Sequence, residues 1–200
     1  MAPVTAGPAR AVSEPLSVCV FCASSEKVAP HLRSLAATLG SQIASRGWRL
    51  VYGGGGVGLM GEVARAALAG GAHVTGVMPH RLADLEQELL QVSELVRTDT
   101  MRQRKGEMDA RADAFVVLPG GIGTLEELLE ALTLRQLGYH DRPIVLLDPD
   151  GFWAPLRAQV DQFVALGLAQ PDVARDLVPM RGPDEALNAV AAAVRARAPS

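Results

Sequence analysis

The sequence predicts an α/β fold, a doubly wound parallel sheet within a single domain, and three observations carry that expectation. Short, continuous apolar runs recur along the 200 residues, too apolar throughout to leave one face in water. Stretches with helical spacing separate them. Two of the runs end in glycine-rich turns that lead straight into a helix, at Gly53–Gly61 and at Pro119–Thr124. Sheets of this kind bind ligands beyond the carboxyl ends of their strands, where such turns lie. Roughly four to six buried strands are expected.

Taken in order, Ser17 to Cys22 reads as the first strand. Ala23-Ser24-Ser25 follows at its carboxyl end, where Ser24 is placed either to cap a helix or to touch a ligand. Leu32, Leu35, Leu39 and Ile43 recur at helical spacing, and Gly47 stops that helix. Trp48 to Tyr52 is the second strand. The turn after it contains G-x-G-x-x-G as Gly53, Gly55 and Gly58. That spacing suggests a dinucleotide site. The turn follows the second strand, however, and the next strand, Ala72 to Val77, ends in Met78-Pro79 with no acid for an adenosine ribose. It is better read as a second glycine-lined wall of one crevice, with Gly54 and Gly55 as candidate binding positions. Gly61, Ala64 and Ala67 to Ala69 allow the following helix to pack close to the sheet. His80 to Leu90 reads as a polar loop with a short helix and carries Asp84, Glu86 and Glu88. Val92 to Val96 is a short strand, and Thr98-Asp99-Thr100 caps the next helix.

In that helix, Met101 to Met108, Arg104 and Lys105 share a face with the two methionines. Either their stems are buried with the charges in water, or a basic pair is aimed into a crevice that holds an anion. Ala114 to Leu118 is a buried strand, followed by Pro119-Gly120-Gly121-Ile122-Gly123-Thr124 and a helix from Leu125 to Leu137. A glycine turn at a helix N-terminus offers free N–H groups to phosphate. The same stretch is also a capping box, Thr124 at N-cap and Glu127 at N3. It is not a Walker A loop, since no Lys-Ser or Lys-Thr follows. Leu125, Leu128, Leu129 and Leu132 form one apolar face for the sheet. Ala131 and Leu134 lie opposite, beside Glu127, so a second subunit is a possible second partner. Pro143 to Leu147 is a further strand, Phe152 to Leu166 a helix, 167–182 an irregular connection, and Pro183 to Arg195 a closing helix.

Composition limits the function. Hydrophobic residues make up 48% of the chain, yet no apolar run approaches the ~20 residues of a membrane span. Net charge is −3, which gives no general attraction to nucleic acid or to an anionic membrane. Any anion site must be local. Residues 1–15 are rich in Pro and Ala without an apolar signal core and read as a disordered leader, with the domain from 16 to 200. Cys19 and Cys22 form C-x-x-C inside the first strand, where residues three apart face opposite sides. They read as core rather than as a redox or zinc motif, and no metal is expected. A reducing, cytoplasmic compartment fits.

The motifs together resemble one family. Tyr52-Gly53-Gly54-Gly55 with Val57-Gly58-Leu59-Met60-Gly61, then Met101-x-x-Arg104-Lys105, then Pro119-Gly120-Gly121-x-Gly123-Thr124-x-x-Glu127 is similar to the LOG (Lonely Guy) family. Gln136-Leu137-Gly138 and Asp141-x-Pro143 match as well, so the resemblance covers about residues 16 to 180. It implies a Rossmann-like, usually dimeric cytokinin riboside 5′-monophosphate phosphoribohydrolase. Such an enzyme releases an adenine-type base and ribose 5-phosphate without a cofactor. It implies that Arg104 and Glu127 are the catalytic pair. Gly120, Gly121, Ile122, Gly123, Thr124, Leu125 and Glu126 would surround the substrate, with Gly121 to Thr124 on the 5′-phosphate. Lys105, Glu86 and Thr133 fall where members touch substrate. The loop around Glu86 departs from the usual Pro-Arg-Glu wording. Arg102-Gln103 replaces the common His-Glu or His-Gln, and Gly56 the common Ser or Asn; these departures bear on substrate preference. An AMP nucleosidase-like enzyme and a non-catalytic carrier of a nucleotide or phosphorylated cofactor are the alternatives. Members are often labelled lysine decarboxylases, but the only lysines are Lys27 and Lys105, which leaves few candidates for a pyridoxal Schiff base.

Overall fold

A strand that is apolar on both faces has to lie inside a sheet with helices above and below it. Ser17–Phe21 (β1) is such a strand, and all of its residues are buried. In the computed structural model, which describes residues 14–83 and 91–197, β1 lies inside a seven-stranded sheet. The leader expected at 1–15 falls outside the described residues up to residue 13, and Asp84, Glu86 and Glu88 fall outside them entirely.

The chain continues through α1 (Pro30–Ser45), β2 (Arg49–Tyr52), α2 (Gly58–Ala69), β3 (Val74–Pro79), α3 (His80–Ala83) and β4 (Glu94–Thr98). It then forms α4 (Met101–Ala110), β5 (Ala114–Val117), α5 (Ile122–Gln136), β6 (Ile144–Leu147), α6 (Ala154–Ala165), α7 (Pro171–Arg175), β7 (Pro179–Met180) and α8 (Pro183–Arg197). The strand order is β4-β3-β2-β1-β5-β6-β7 and every pairing is parallel. The chain winds outward from β1 to β4, returns to β5 on the other side of β1, and winds outward again. The order therefore reverses between β1 and β5, where Phe21 pairs with Val117. The ligand crevice of a doubly wound sheet opens at such a point.

The strands separate two cores. Val18, Val20, Leu50, Tyr52 and Val116 face α1, α2 and α8. Cys19, Phe21, Val51, Phe115 and Val117 face α4, α5 and α6. The two cysteines thus lie on opposite sides of β1, both buried and free. Phe21 and Phe115 stack at 5.5 Å in the second core.

Several boundaries differ from the sequence expectation, each for a physical reason. The strand expected at Val92–Val96 runs from Glu94 to Thr98 and is an edge strand, half exposed, with charged Glu94 and Arg97 on it. Charges of that kind protect an edge and blur its apolar signal. The connection expected to be irregular at 167–182 contains α7 and the two-residue β7, both too short to show a period. Ala69 is exposed, and the small residues of α2 serve α1 as much as the sheet: a Cβ on Gly40 would stand 2.2 Å from the Val63 carbonyl oxygen. On α5 the inner face is Thr124, Glu127, Leu128, Ala131 and Leu132. Leu129 is 42% exposed instead of facing the sheet, because the helix is turned so that Glu127 and Ala131 point inward. No helix among the described residues is long and apolar enough to cross a membrane.

Candidate functional site

Arg104 is carried inward by the way its helix starts. The Thr100 hydroxyl accepts from the Gln103 N–H at 3.1 Å, and the Gln103 side chain accepts from the Thr100 N–H at 3.1 Å. This capping box fixes the first turn of α4 and spends Gln103 on the backbone. The next residue then points over the strand ends. Arg104 Nε donates to the Val77 carbonyl at 3.1 Å, and Nη2 to the Gly53 carbonyl at 3.3 Å. Nη1 donates to Glu127 Oε1 at 3.1 Å. The guanidinium is thus buried in the crevice, with its stem not merely lying along a surface. A Cβ on Gly53 would stand 1.9 Å from Arg104 Nη2, so the glycine makes room for this side chain.

Glu127 arrives from the other side. After β5, Leu118 N–H donates to the Phe21 carbonyl at 2.9 Å, which holds the turn at the switch point. The α5 helix then begins at Ile122 with Gly121 as N-cap and no side-chain cap. The capping box expected between Thr124 and Glu127 does not form. Helix geometry starts three residues earlier, so both side chains belong to its inner face. Thr124 folds back on Gly120, whose added Cβ would stand 2.1 Å from Thr124 Oγ1. Glu127 is taken by Arg104. The first N–H groups of the helix have no helical acceptor and lie at its positive end. A Cβ on Gly121 or Gly123 would meet no protein atom within 4 Å, so these bare positions leave open backbone for an approaching anion.

The two arrivals meet in a cavity of about 420 Å³ at the carboxyl ends of β1, β2 and β3. Arg104, Glu127, Thr124 and the Gly121–Gly123 backbone line it, with Ser24, Cys22 and Gly53 opposite and Met60, Met78, Leu82 and Met101 as apolar wall. Such a volume is typical of small-ligand sites. Burial pushes the Glu127 carboxyl above the ordinary range, while Arg104 pulls it back. Burial also drives the Cys22 thiol far up, so it stays a neutral wall. Arg65 Nη1 donates to the Gly56 carbonyl at 2.9 Å and steadies the facing glycine turn. Among the described residues no three His, Cys, Asp or Glu side chains gather as a metal site requires.

The structure brings Arg104, Glu127, Ser24, Gly121, Ile122, Gly123 and Thr124 to this cavity. It places Lys105, Leu125, Glu126 and Thr133 on an outer groove between α4 and α5. Gly54 is at φ +83 and packs against Met78, and it is Gly53 that borders the cavity, ahead of Gly54 and Gly55. Gly120 lies in the turn behind Thr124. Glu86 lies outside the described residues. Sequence reasoning missed Gly53, Met78 and the Val77 carbonyl as partners of the site. Gly53 was visible in the glycine pattern, whereas a backbone acceptor leaves no mark in a sequence.

Comparison with known proteins agrees with this architecture. Residues 60–190 match the family described as "Possible lysine decarboxylase". The cytokinin riboside 5′-monophosphate phosphoribohydrolase LOG3 of Arabidopsis thaliana is 45% identical over 161 residues, 80% of this chain and 74% of that one. The cytokinin riboside 5′-monophosphate phosphoribohydrolase of Mycobacterium tuberculosis is 46% identical over 175 residues, covering 88% and 93%. Among solved structures, the molybdenum cofactor carrier protein of Chlamydomonas reinhardtii matches with a TM-score of 0.69 at 23% identity, over 91% of this chain and 99% of that one. The molybdenum cofactor binding protein of Rippkaea orientalis gives 0.69 at 22%, over 90% and 98%. At that identity the structural likeness speaks for the fold alone. The family match and the relatives together identify the chain as a member of the LOG family.

Proposed function

We propose that this protein hydrolyses the N-glycosidic bond of cytokinin riboside 5′-monophosphates, giving the free base and ribose 5-phosphate. The observation that carries the reading is the buried Arg104–Glu127 pair set across one cavity from an open glycine turn. A carrier needs the turn but has no use for the carboxylate. The names of the relatives support the same activity.

In this reading the 5′-phosphate sits on the free N–H groups of Ile122, Gly123 and Thr124. The ribose then lies over the inner face of α5 one turn further on, where Glu127 is. As the bond from C1′ to the base breaks, positive charge builds on the ribose ring and negative charge on the departing base. The Glu127 carboxylate stabilises the ring and takes a proton from the water whose oxygen bonds to C1′. The departing base takes up a proton in turn. Arg104 is a fixed cation, unsuited to proton transfer. It holds Glu127 in place and offsets negative charge nearby. Interactions of this type are worth about 3–4 kcal/mol, or roughly 10²–10³ in rate.

A lysine-based decarboxylase does not fit these residues. Pyridoxal chemistry needs a lysine amine in the cavity. Lys27 is exposed on a surface turn, and Lys105 is held as an ammonium by Glu126 and Glu130, which raise its pKa against the effect of its partial burial.

We also infer a homodimer in the cytoplasm. Ile122, Leu129, Leu137 and Tyr139 leave an apolar strip exposed on and beyond α5, and both cysteines are free thiols. Light scattering of the purified protein tests the assembly. The activity is tested with isopentenyladenosine 5′-monophosphate, AMP and the unphosphorylated riboside. Base and ribose 5-phosphate are expected from the nucleotides and nothing from the riboside. The ratio of the two nucleotide rates separates a cytokinin enzyme from an AMP nucleosidase. Saturable binding without release of base would favour a carrier.

A further inference from the structure

Two adjacent cations leave α4 for α5, and the chemistry above uses only one of them. Arg104 reaches Glu127. Lys105 points about 100° further round the helix, and its ammonium contacts both Glu126 and Glu130. The side chain of Lys105 is 16% exposed, against 54% for Glu126 and 42% for Glu130, so the lysine is the buried member of the group. Behind it lies a small cavity of about 80 Å³, bordered by Lys105, Gly106 and Asp109 of α4 and by Glu127, Glu130 and Ala131 of α5. Phe21, Phe115 and Leu134 form the rest of its wall, and the ionic contacts of Lys105 close the seam between the helices on its outer side. Glu127 borders this cavity as well as the larger one. It therefore shares the small cavity with Lys105 and Glu130.

We propose that Lys105 is a positioning residue for Glu127: by clamping Glu126 and Glu130, on either side of Glu127, it fixes this part of α5 against α4 and keeps Glu127 an anion during turnover. The proposal rests on the reading that Glu127 works as a carboxylate in glycosidic hydrolysis. The groups that face Glu127 are Arg104, Lys105 and Asp109 from α4, Glu126 and Glu130 from α5, and the buried thiols of Cys19 and Cys22 from β1. Burial is the largest influence raising Glu127; Glu126 adds to it, while Arg104 and Lys105 oppose it. Without Lys105, two carboxylates beside Glu127 lose their counter-charge.

The direction of the effect separates this role from a plain staple between helices. Lys105→Met should move the acid limb of the kcat/KM–pH profile upward by about one unit, which is about tenfold lower activity on that limb. Lys105→Arg should restore the wild-type profile. Glu126→Gln removes one contact of the same clamp, yet should move the limb the other way, to lower pH. A staple alone predicts the same direction for both variants, or no movement. An unmoved limb in Lys105→Met, or parallel movement in Lys105→Met and Glu126→Gln, would overturn the proposal. The Glu127 titration can also be followed without turnover, by its carboxyl carbon resonance in labelled protein, assigned by its disappearance in Glu127→Gln. A raised midpoint in Lys105→Met supports the proposal even if the wild type released no base. An unchanged midpoint overturns it even if the wild type is an active hydrolase.

Discussion

The two faces of the sheet are built on different principles. On the face covered by α1, α2 and α8, helices touch through small residues: Gly40 lies against Val63, and a Cβ on Gly70 would stand 2.5 Å from Ala44 Cβ. Its interior is apolar, and its ion pairs, Arg33–Glu62 at 3.1 Å and Arg46–Asp184 at 2.6 Å, lie on the partly exposed rim. On the face covered by α4 and α5, the helix contacts are charged. Arg104 and Glu127 are 8% and 9% exposed, Lys105 clamps two glutamates, and Arg142 Nη2 donates to Asp109 Oδ1 at 2.5 Å. Buried ion pairs contribute little net stability, since desolvation offsets their attraction. The first face accordingly holds the fold, and the second holds a chemical arrangement that the fold carries.

That division breaks most sharply at the pair itself. Glu127→Gln should lower kcat/KM for the nucleotide by about 10²–10³ while leaving the melting temperature near the wild-type value. Arg104→Ala should lose a similar factor, at some cost in stability because Glu127 is left buried without its partner. Steady-state kinetics beside a thermal melt reads both. Near-wild-type turnover in folded Glu127→Gln would remove the carboxylate from the mechanism.

Much of this was legible in the sequence because local patterns coincide with tertiary roles. Arg104 was legible as a cation on one face of its helix and Glu127 as part of the helix that follows a glycine turn, while their pairing came from the family resemblance. What was not legible depends on how elements turn against one another. Lys105 shares its sequence neighbourhood with Arg104, yet its ammonium goes to Glu126 and Glu130 beside an outer groove and not into the crevice. The Thr124–Glu127 spacing satisfied a capping box, but the real box lies at Thr100–Gln103, and only the backbone at Gly121 shows where α5 begins. The edge strand β4 was displaced by two residues because exposed Glu94 and Arg97 interrupt its apolar signal.

Two glycines sharpen the comparison, because the same change should act oppositely on the two faces. Gly40→Ala puts a Cβ 2.2 Å from the Val63 carbonyl oxygen, a backbone atom that cannot swing away. The strain of overpacking, about 1–3 kcal/mol, exceeds the gain in helix propensity of up to ~1 kcal/mol. The melting temperature should fall by about 2–8 °C, with KM and kcat unchanged below the transition. Gly123→Ala meets no protein atom and lies in the first turn of α5, so the protein should become slightly more stable. The new methyl group stands where the phosphate would approach, and KM should rise by about tenfold. Melting curves and KM values of both variants test the pair. A loss of stability in Gly123→Ala would show that its bareness serves the fold rather than a ligand.

The smallest effect concerns a titrating group on the charged face. Burial, followed by the positive charge of Arg142, lowers His140 from 6.5 to about 4. Its ring lies 5.6 Å from that of Phe115, and its Nδ1 accepts from the Arg142 N–H at 3.3 Å. Protonation would turn that acceptor into a donor and bring a second cation beside Arg142. The folded-state pKa lies below the unfolded one, so folding favours the neutral ring. The stabilisation is present above about pH 6.5 and is lost as pH falls toward about 4. The residue is only partly buried, so solvent reduces the effect, and a loss of about 2 °C in melting temperature across that window is expected. Glu127 acts in the opposite sense, because its raised pKa favours the folded state as it protonates. The informative quantity is therefore the difference between wild type and His140→Gln, melted in parallel from pH 7.5 to 4.5. The wild type should lose more stability than the variant over that range. Parallel curves would mean that folding does not lower the His140 pKa, and that the acid sensitivity of the charged face resides in its carboxylates alone.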